Sequence, residues 1–332
     1  MVPRQKAISI TSACLLLSFV LTGCQAKADM RREKLRATAG AISNIFADAR
    51  ETALSLRDRA AEIYNQPLPE LGQERLAKYA FFEKTSYYKK KDDGLCGMWA
   101  SGLIPIEERQ QARILALESV GPEIKKSVTE NKFIDQAYVL TREHISIYYP
   151  FFNPVAYFEP KLDFYKAFKP FYEAGPKYNP TREAVWIKPY IDATGKGYIV
   201  SVTAPIYKKD TFEGSAGCDI RVMPIGEKFL SSERNLMIVT DETLVVASTP
   251  RCNELLKFKG LGKYYYLQNI TEDVSAPDRF KLSHSDTPSV KAMARRLLAE
   301  SEFTISLRNR NYTIIRERID IPGWFLVEMI PR

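Results

Sequence analysis

Nine apolar positions constrain the first part of this 332-residue chain more than any other feature. Leu35, Ala39, Ile42, Ile45, Ala49, Ala53, Leu56, Ala60 and Ile63 recur at steps of three and four, with most charges elsewhere. That spacing lines one stripe of an amphipathic helix over residues 30–65. Such a stripe needs cover. Either it is a stalk packed along the rest of its own chain, or it is the seam of a homodimer, and its many alanines allow close approach in both cases. Pro67 and Pro69 end the helix, since neither can continue its hydrogen bonds. Further helical segments are expected over residues 71–82 and 105–130, giving an N-terminal helical region over 30–130.

From Phe133 the period changes from helical to strand-like. FIDQAYVLTREHISIYYPFF reads as two strands with a tight turn near Thr141 to Glu143, and KLDFYKAFKPFYEAG as a short helix. VWIKPYIDATGKGY and YIVSVTAPIY form a hairpin, and FEGSAGCDIRV is one more strand. Near Asn235 a similar order starts again: LMIVTDETLVVAST as a strand pair, a helix from Pro288 to Leu298, and three final strands ending in WFLVEMI. The repeat is of pattern and not of letters. Two consecutive α+β modules are therefore expected, over 131–232 and 233–332, each built on an antiparallel sheet.

The start of the chain bears on where it works. Arg4 and Lys6 precede the apolar stretch ISITSACLLLSFV, which is short for a membrane span, and Leu21-Thr22-Gly23-Cys24 follows at once. This resembles a bacterial lipoprotein signal peptide (residues 1–23) with its lipobox, which implies acylation of Cys24 and a lipidated tether over 24–29. Two or three acyl chains give stable membrane attachment where one does not. Gln25 in place of aspartate resembles outer-membrane sorting, so the expected location is the cell envelope, on the periplasmic face of the outer membrane in a Gram-negative cell. No later stretch resembles a membrane span, so any signal must pass through a partner protein.

Composition narrows the function. The net charge is +8, but the basic residues are dispersed among acids, which argues against nucleic acid as partner. YYKKKDDG, residues 87–94, reads as a solvated loop. Beyond Cys14 and Cys24, only Cys96, Cys218 and Cys252 remain, without metal-site spacing; they allow at most one disulfide, with Cys96 to Cys252 one option. His144 and His284 are isolated from one another and from any cysteine pair. No P-loop, dinucleotide fingerprint, nucleophile elbow or zinc-protease motif occurs, so neither cofactor nor enzymatic activity is expected.

In the hairpin, an extended VWIKPYID would put Trp186, Lys188, Tyr190 and Asp192 on one face, with Trp186 serving packing. Asp192 and Asp219 each close a strand-like segment and could face a common cavity. Two carboxylates there would repel, and a ligand ammonium would relieve them. The stretch WIKPYIDATGKGYIVSVTAPIYKKDTFEGSAGCDI resembles the signature of the double Cache domain, an extracytoplasmic sensor of two PAS-like modules on a long N-terminal helix. The resemblance spans about residues 30–332. It implies a ligand site in the first, membrane-distal module, with Tyr172, Tyr190, Asp192 and Asp219 around a ligand amine. On the carboxylate side the pattern departs: Lys169 stands for arginine, Phe171 for tryptophan and Phe164 for tyrosine. Lysine cannot make the bidentate fork and phenylalanine has no donor. The expected function is a ligand-binding sensor lipoprotein for a small amine or amino acid, the alternative an envelope scaffold with a degenerate pocket.

Overall fold

The structure, a computed structural model, describes residues 10–191, 198–258, 274–275 and 278–332. It opens with α1 (Ile10–Asn65), followed by α2 (Gln73–Leu76), β1 (Tyr79–Phe82), β2 (Ser86–Lys89), β3 (Gly97–Ala100), α3 (Glu108–Leu117) and α4 (Gly121–Glu130). Next come β4 (Ile134–Thr141), β5 (Ile145–Tyr149), α5 (Phe164–Ala167), α6 (Lys169–Tyr172), β6 (Val185–Ile191), β7 (Tyr198–Lys208) and β8 (Thr211–Arg221). The last part holds α7 (Val222–Phe229), β9 (Leu236–Val239), β10 (Val245–Ser248), α8 (Pro250–Leu256), β11 (Val274–Ser275), α9 (Pro288–Ala299), β12 (Glu302–Leu307), β13 (Arg310–Ile319) and β14 (Trp324–Pro331). The fold is α+β, with two antiparallel sheets. The first has the order β1-β2-β3-β5-β4-β8-β7-β6-β11 and the second β10-β9-β14-β13-β12. Strand β11 comes from the second half of the chain yet pairs with β6 of the first sheet.

All nine stripe positions of α1 are buried, and they join one core with the inward faces of both sheets. Val200, Val202, Ala204, Ile206, Ala216, Cys218 and Ile220 alternate along β7 and β8 and present that apolar face to the helix. The backbone comes close enough for the Cys218 thiol to donate to the Ala49 carbonyl at 3.4 Å. The second sheet meets the same helix, where the Ile321 amide donates to Ser43 Oγ at 3.1 Å. Phe46 joins the two halves, its ring 5.4 Å from Trp186 and 5.3 Å from Trp324. The stripe is thus covered within the chain. Its outward positions, Asn44, Asp48, Glu51, Ser55, Asp58 and Glu62, are exposed and polar.

Two expectations need correction. The segment 71–82 is helical only over α2; Tyr79–Phe82 forms β1, which pairs with β2 around a turn where Glu83 and Lys84 take positive φ of 48° and 60°. The aromatic residues of YAFF and SYYK favour strand over the helix propensity of the charged residues between them, so the region 30–130 carries a three-stranded extension of the first sheet. The second correction lies in β6. Ile187 pairs with Ser201 and Tyr190 with Ile199, so the register shifts by one residue around Pro189. Proline has no amide for the ladder, and a bulge accommodates it. Trp186 and Lys188 therefore face away from Tyr190: Trp186 packs on Phe46, and Lys188 pairs with Glu242 of the second half.

Cys96, Cys218 and Cys252 are free and buried. Among the described residues no helix is long and apolar enough to cross a membrane.

Candidate functional site

The face of the first sheet turned away from α1 is polar at its centre. Cross-strand pairing aligns Gln136 of β4, Asp219 of β8 and Ser201 of β7 in one row, with Tyr138, Gly217 and Thr203 in the next. All the side chains in these rows are buried, with Asp219 4% exposed and Ser201 wholly enclosed. The alternation that gives α1 its apolar wall forces Ser201 and Thr203 of β7 onto this opposite wall. Tyr190 reaches the same place from β6. Its hydroxyl lies 2.8 Å from Ser201 Oγ, which donates to Asp219 Oδ1 at 2.6 Å. A relay of two hydroxyls thus ends on a buried carboxylate.

The site is covered by the paired short helices α5 and α6. Asp163 caps α5 through the Tyr165 amide, and Pro170 lies in the first turn of α6, where its missing amide costs nothing. Ser215 Oγ donates to the Pro170 carbonyl at 3.2 Å, which ties α6 to β8. Lys169, the first residue of α6, holds its ammonium 5.6 Å from the Tyr190 ring centre. Burial pushes the neighbouring Glu173 carboxyl above the usual carboxylate range, while Lys169 and Lys188 pull it back.

The sequence-predicted residues thus divide into three groups. Tyr190, Asp219 and Lys169 come together. Phe164 and Phe171 are fully buried in an aromatic cluster with Tyr138, Leu140, Tyr148 and Phe212, Phe171 lying 5.6 Å from the Phe212 ring. Tyr172, at the end of α6, is half-buried with its ring 5.9 Å from that of Tyr178. Asp192 lies outside the described residues. Three further residues belong here: Ser201, Tyr138 and His144. Ser201 was legible in the Ser-Val-Thr alternation of YIVSVTAPIY. His144 accepts the Phe164 amide at Nδ1 over 3.1 Å and so orients α5; burial lowers its pKa below the usual histidine value, partly opposed by Asp163.

Chemically the arrangement sets a buried carboxyl among hydroxyls and aromatic faces. Among the described residues no group of His, Cys, Asp and Glu is arranged to hold a metal ion.

No family model matches the sequence, and no curated protein does. Solved structures do resemble it. The sensory domain of the Campylobacter jejuni chemoreceptor Tlp3 superposes with a TM-score of 0.53 at 13% identity, over 92% of this chain and 94% of that one. The Tlp3 ligand-binding domain in complex with L-valine gives 0.53 at 12% identity, covering 98% of each chain. The ligand-binding domain of the Pseudomonas aeruginosa amino-acid chemoreceptor PctC in complex with GABA gives 0.52 at 10% identity, over 91% of this chain and 98% of that one. With its long N-terminal helix and two antiparallel sheets, the chain has the double Cache fold of these chemoreceptor sensory domains.

Proposed function

We propose that the protein is an extracytoplasmic, lipid-anchored sensor that binds a small amine or amino acid in its first module and signals through a partner protein. The observation that carries this reading is the buried Asp219 at the end of the Tyr190–Ser201 relay, beside a ring face that already holds an ammonium, that of Lys169. An ammonium on Asp219 makes charge-assisted bonds of about 1.5–3 kcal/mol each. The ring of Tyr190 adds roughly 0.5–2 kcal/mol of cation-π attraction. Lys169 offers a point charge to a ligand carboxylate, as an amino acid would bring. Complexes of the structural relatives with L-valine and GABA lend support to that ligand class. Attachment through Cys24 rests on the lipobox, and the absence of turnover on the lack of any nucleophile or cofactor motif in the sequence.

The test is calorimetric titration of the purified chain with amines, amino acids and organic acids, repeated with Asp219→Ala. Binding of an amine that the substitution abolishes is the expected result. No binder among those compounds would sink the reading.

A second reading, an envelope interaction protein with a degenerate pocket, draws on Phe164 and Phe171, which are committed to ring packing and offer no donor. On that reading Asp219→Ala leaves partner capture unchanged.

A further inference from the structure

We propose that the crevice between the first turns of α1 and the strands β12–β14 binds the phosphate of an anionic phospholipid in the membrane that holds Cys24; this rests on the lipid-anchored reading above. The crevice has a volume of about 530 Å³. Lys27, Arg31 and Arg32 line its helix side, and Thr313, Ile315 and Ile330 its sheet side. Arg332 adds a fourth cation. Two residues beyond Ile330, it continues the ladder through its amide to the Asn311 carbonyl at 3.0 Å, and its Nε donates to Thr313 Oγ1 at 2.8 Å. Two of the four cations already serve the fold. Arg31 Nε donates to Glu328 at 2.9 Å, and Arg32 pairs with Glu302, which together with Asp29 supplies the acid of the crevice. The side chains of Arg31 and Arg32 still keep 39% and 37% exposure, and a guanidinium carries five N–H donors, so each pair leaves donors over. Lys27 and Arg332 are exposed and belong to neither pair.

Position selects the ligand. Cys24 lies on the same helix, three residues before Lys27, a rise of about 4.5 Å. Acyl chains on Cys24 put that residue at the edge of the hydrocarbon, and the headgroup layer above it is about 5–7 Å deep. Lys27 therefore stands at phosphate depth, where the crevice begins. A phosphodiester offers anionic acceptors to the cations, and the two isoleucines of the sheet side suit the glycerol and the first methylenes beside it. A zwitterionic headgroup brings its own ammonium among these cations and is disfavoured. Acyl chains alone hold the protein to the bilayer but leave it free to swivel on its tether. A second contact through β12–β14 sets the foot of the second module against the lipid.

The experiment titrates the full chain, solubilised in a neutral detergent, with short-chain phosphatidylglycerol, short-chain phosphatidylcholine and inorganic phosphate. It compares wild type, Lys27→Gln and Arg332→Gln, with thermal melts of each and the intact mass of the purified chain to score acylation. The expected result is that phosphatidylglycerol binds wild type at least tenfold more tightly than the other two probes, and more weakly as salt is raised. Each substitution weakens it about fivefold, the share of one basic residue at an anionic surface, at an unchanged melting temperature. If the chain is acylated but phosphatidylglycerol shows no preference, or both variants bind it as wild type does, the crevice assignment is overturned and the anchor stands. Phosphatidylcholine bound as tightly removes the charge argument. Inorganic phosphate bound as tightly makes the crevice a site for a soluble phosphate compound and overturns the lipid. A melting temperature that falls with the affinity makes the two side chains structural and also overturns it. A chain without acyl mass sinks the anchor and the crevice assignment with it.

Discussion

Glu328 of β14 is fully buried, a carboxylate that survives there because two arginines hold it. Arg31 Nε of α1 donates to Oε1 at 2.9 Å, and Arg234 Nε, just before β9, donates to the same oxygen at 2.8 Å. These pairs outweigh burial and keep the Glu328 carboxyl below the usual carboxylate range. Glu328→Gln keeps the shape and removes the charge, leaving two guanidinium groups facing each other across a neutral amide. Breaking a buried pair costs roughly 3–5 kcal/mol, and since Arg31 keeps 39% of its side chain in water the lower end applies, about 3 kcal/mol. At about 2 °C per kcal/mol for a chain of this size, the melting temperature should fall by about 6 °C. The pH dependence gives an independent check. Because the folded pKa is depressed, the triad stabilises fully above the unfolded value near 4.5, and its contribution disappears as pH falls through the folded value. Denaturant titrations should therefore separate wild type from Glu328→Gln at pH 7, with the gap narrowing as the pH is lowered through the folded value. A difference below about 0.5 kcal/mol at pH 7, the range of an ordinary surface change, would refute the reasoning.

Other substitutions test the rest of the structure. Phe46→Ala removes the ring between Trp186 and Trp324 and should cost about 3–5 kcal/mol, with a red-shifted tryptophan emission and a weakened near-UV circular dichroism signal. Burial pushes the Cys96 thiol up to about 12 and the Cys218 and Cys252 thiols well above their ordinary value, so none of the three should react with a disulfide reagent at pH 7 until the chain unfolds, as peptide mass analysis can establish. Burial sets the folded pKa of His144 below the unfolded value near 6.5; its share of stability is present above that value and is lost as pH falls through the folded pKa, so His144→Gln should flatten the melting profile below about pH 6.5. Cys24→Ser should release the protein from the membrane fraction if the lipobox is used; retention in that fraction would contradict the anchor.

The residues differ in how plainly they announced their places. The stripe from Leu35 to Ile63 was readable because a helix half-buried along its length has one dominant period, which local spacing records. Asp219 and Tyr190, singled out in the sequence, do lie in one hydrogen-bonded chain through Ser201. The face of Trp186 and Lys188 was misjudged because a strict two-residue rhythm assumes an unbroken ladder, and the shift at Pro189 depends on how β7 pairs. Ser201 and Tyr138 were missed for a related reason. Each lies in a run that reads as ordinary strand, and only the cross-strand register puts Ser201 opposite Asp219 and Tyr138 opposite Gly217. The β1–β2 hairpin was taken for helix because the charged turn at Glu83 and Lys84 separates two four-residue strands too short to show a period of their own.

The bulge at Pro189 has a meaning for how news could leave the chamber. Above it, β6 addresses Tyr190 to the inner wall; below it, the same strand addresses Trp186 to Phe46 and Lys188 to Glu242. One seven-residue ribbon therefore carries both a side chain of the inner wall and contacts to the other half. Deleting Pro189 would remove the extra residue of the bulge and leave Lys188 opposite Val200 and Tyr190 opposite Ile199, each still on the wall it now faces.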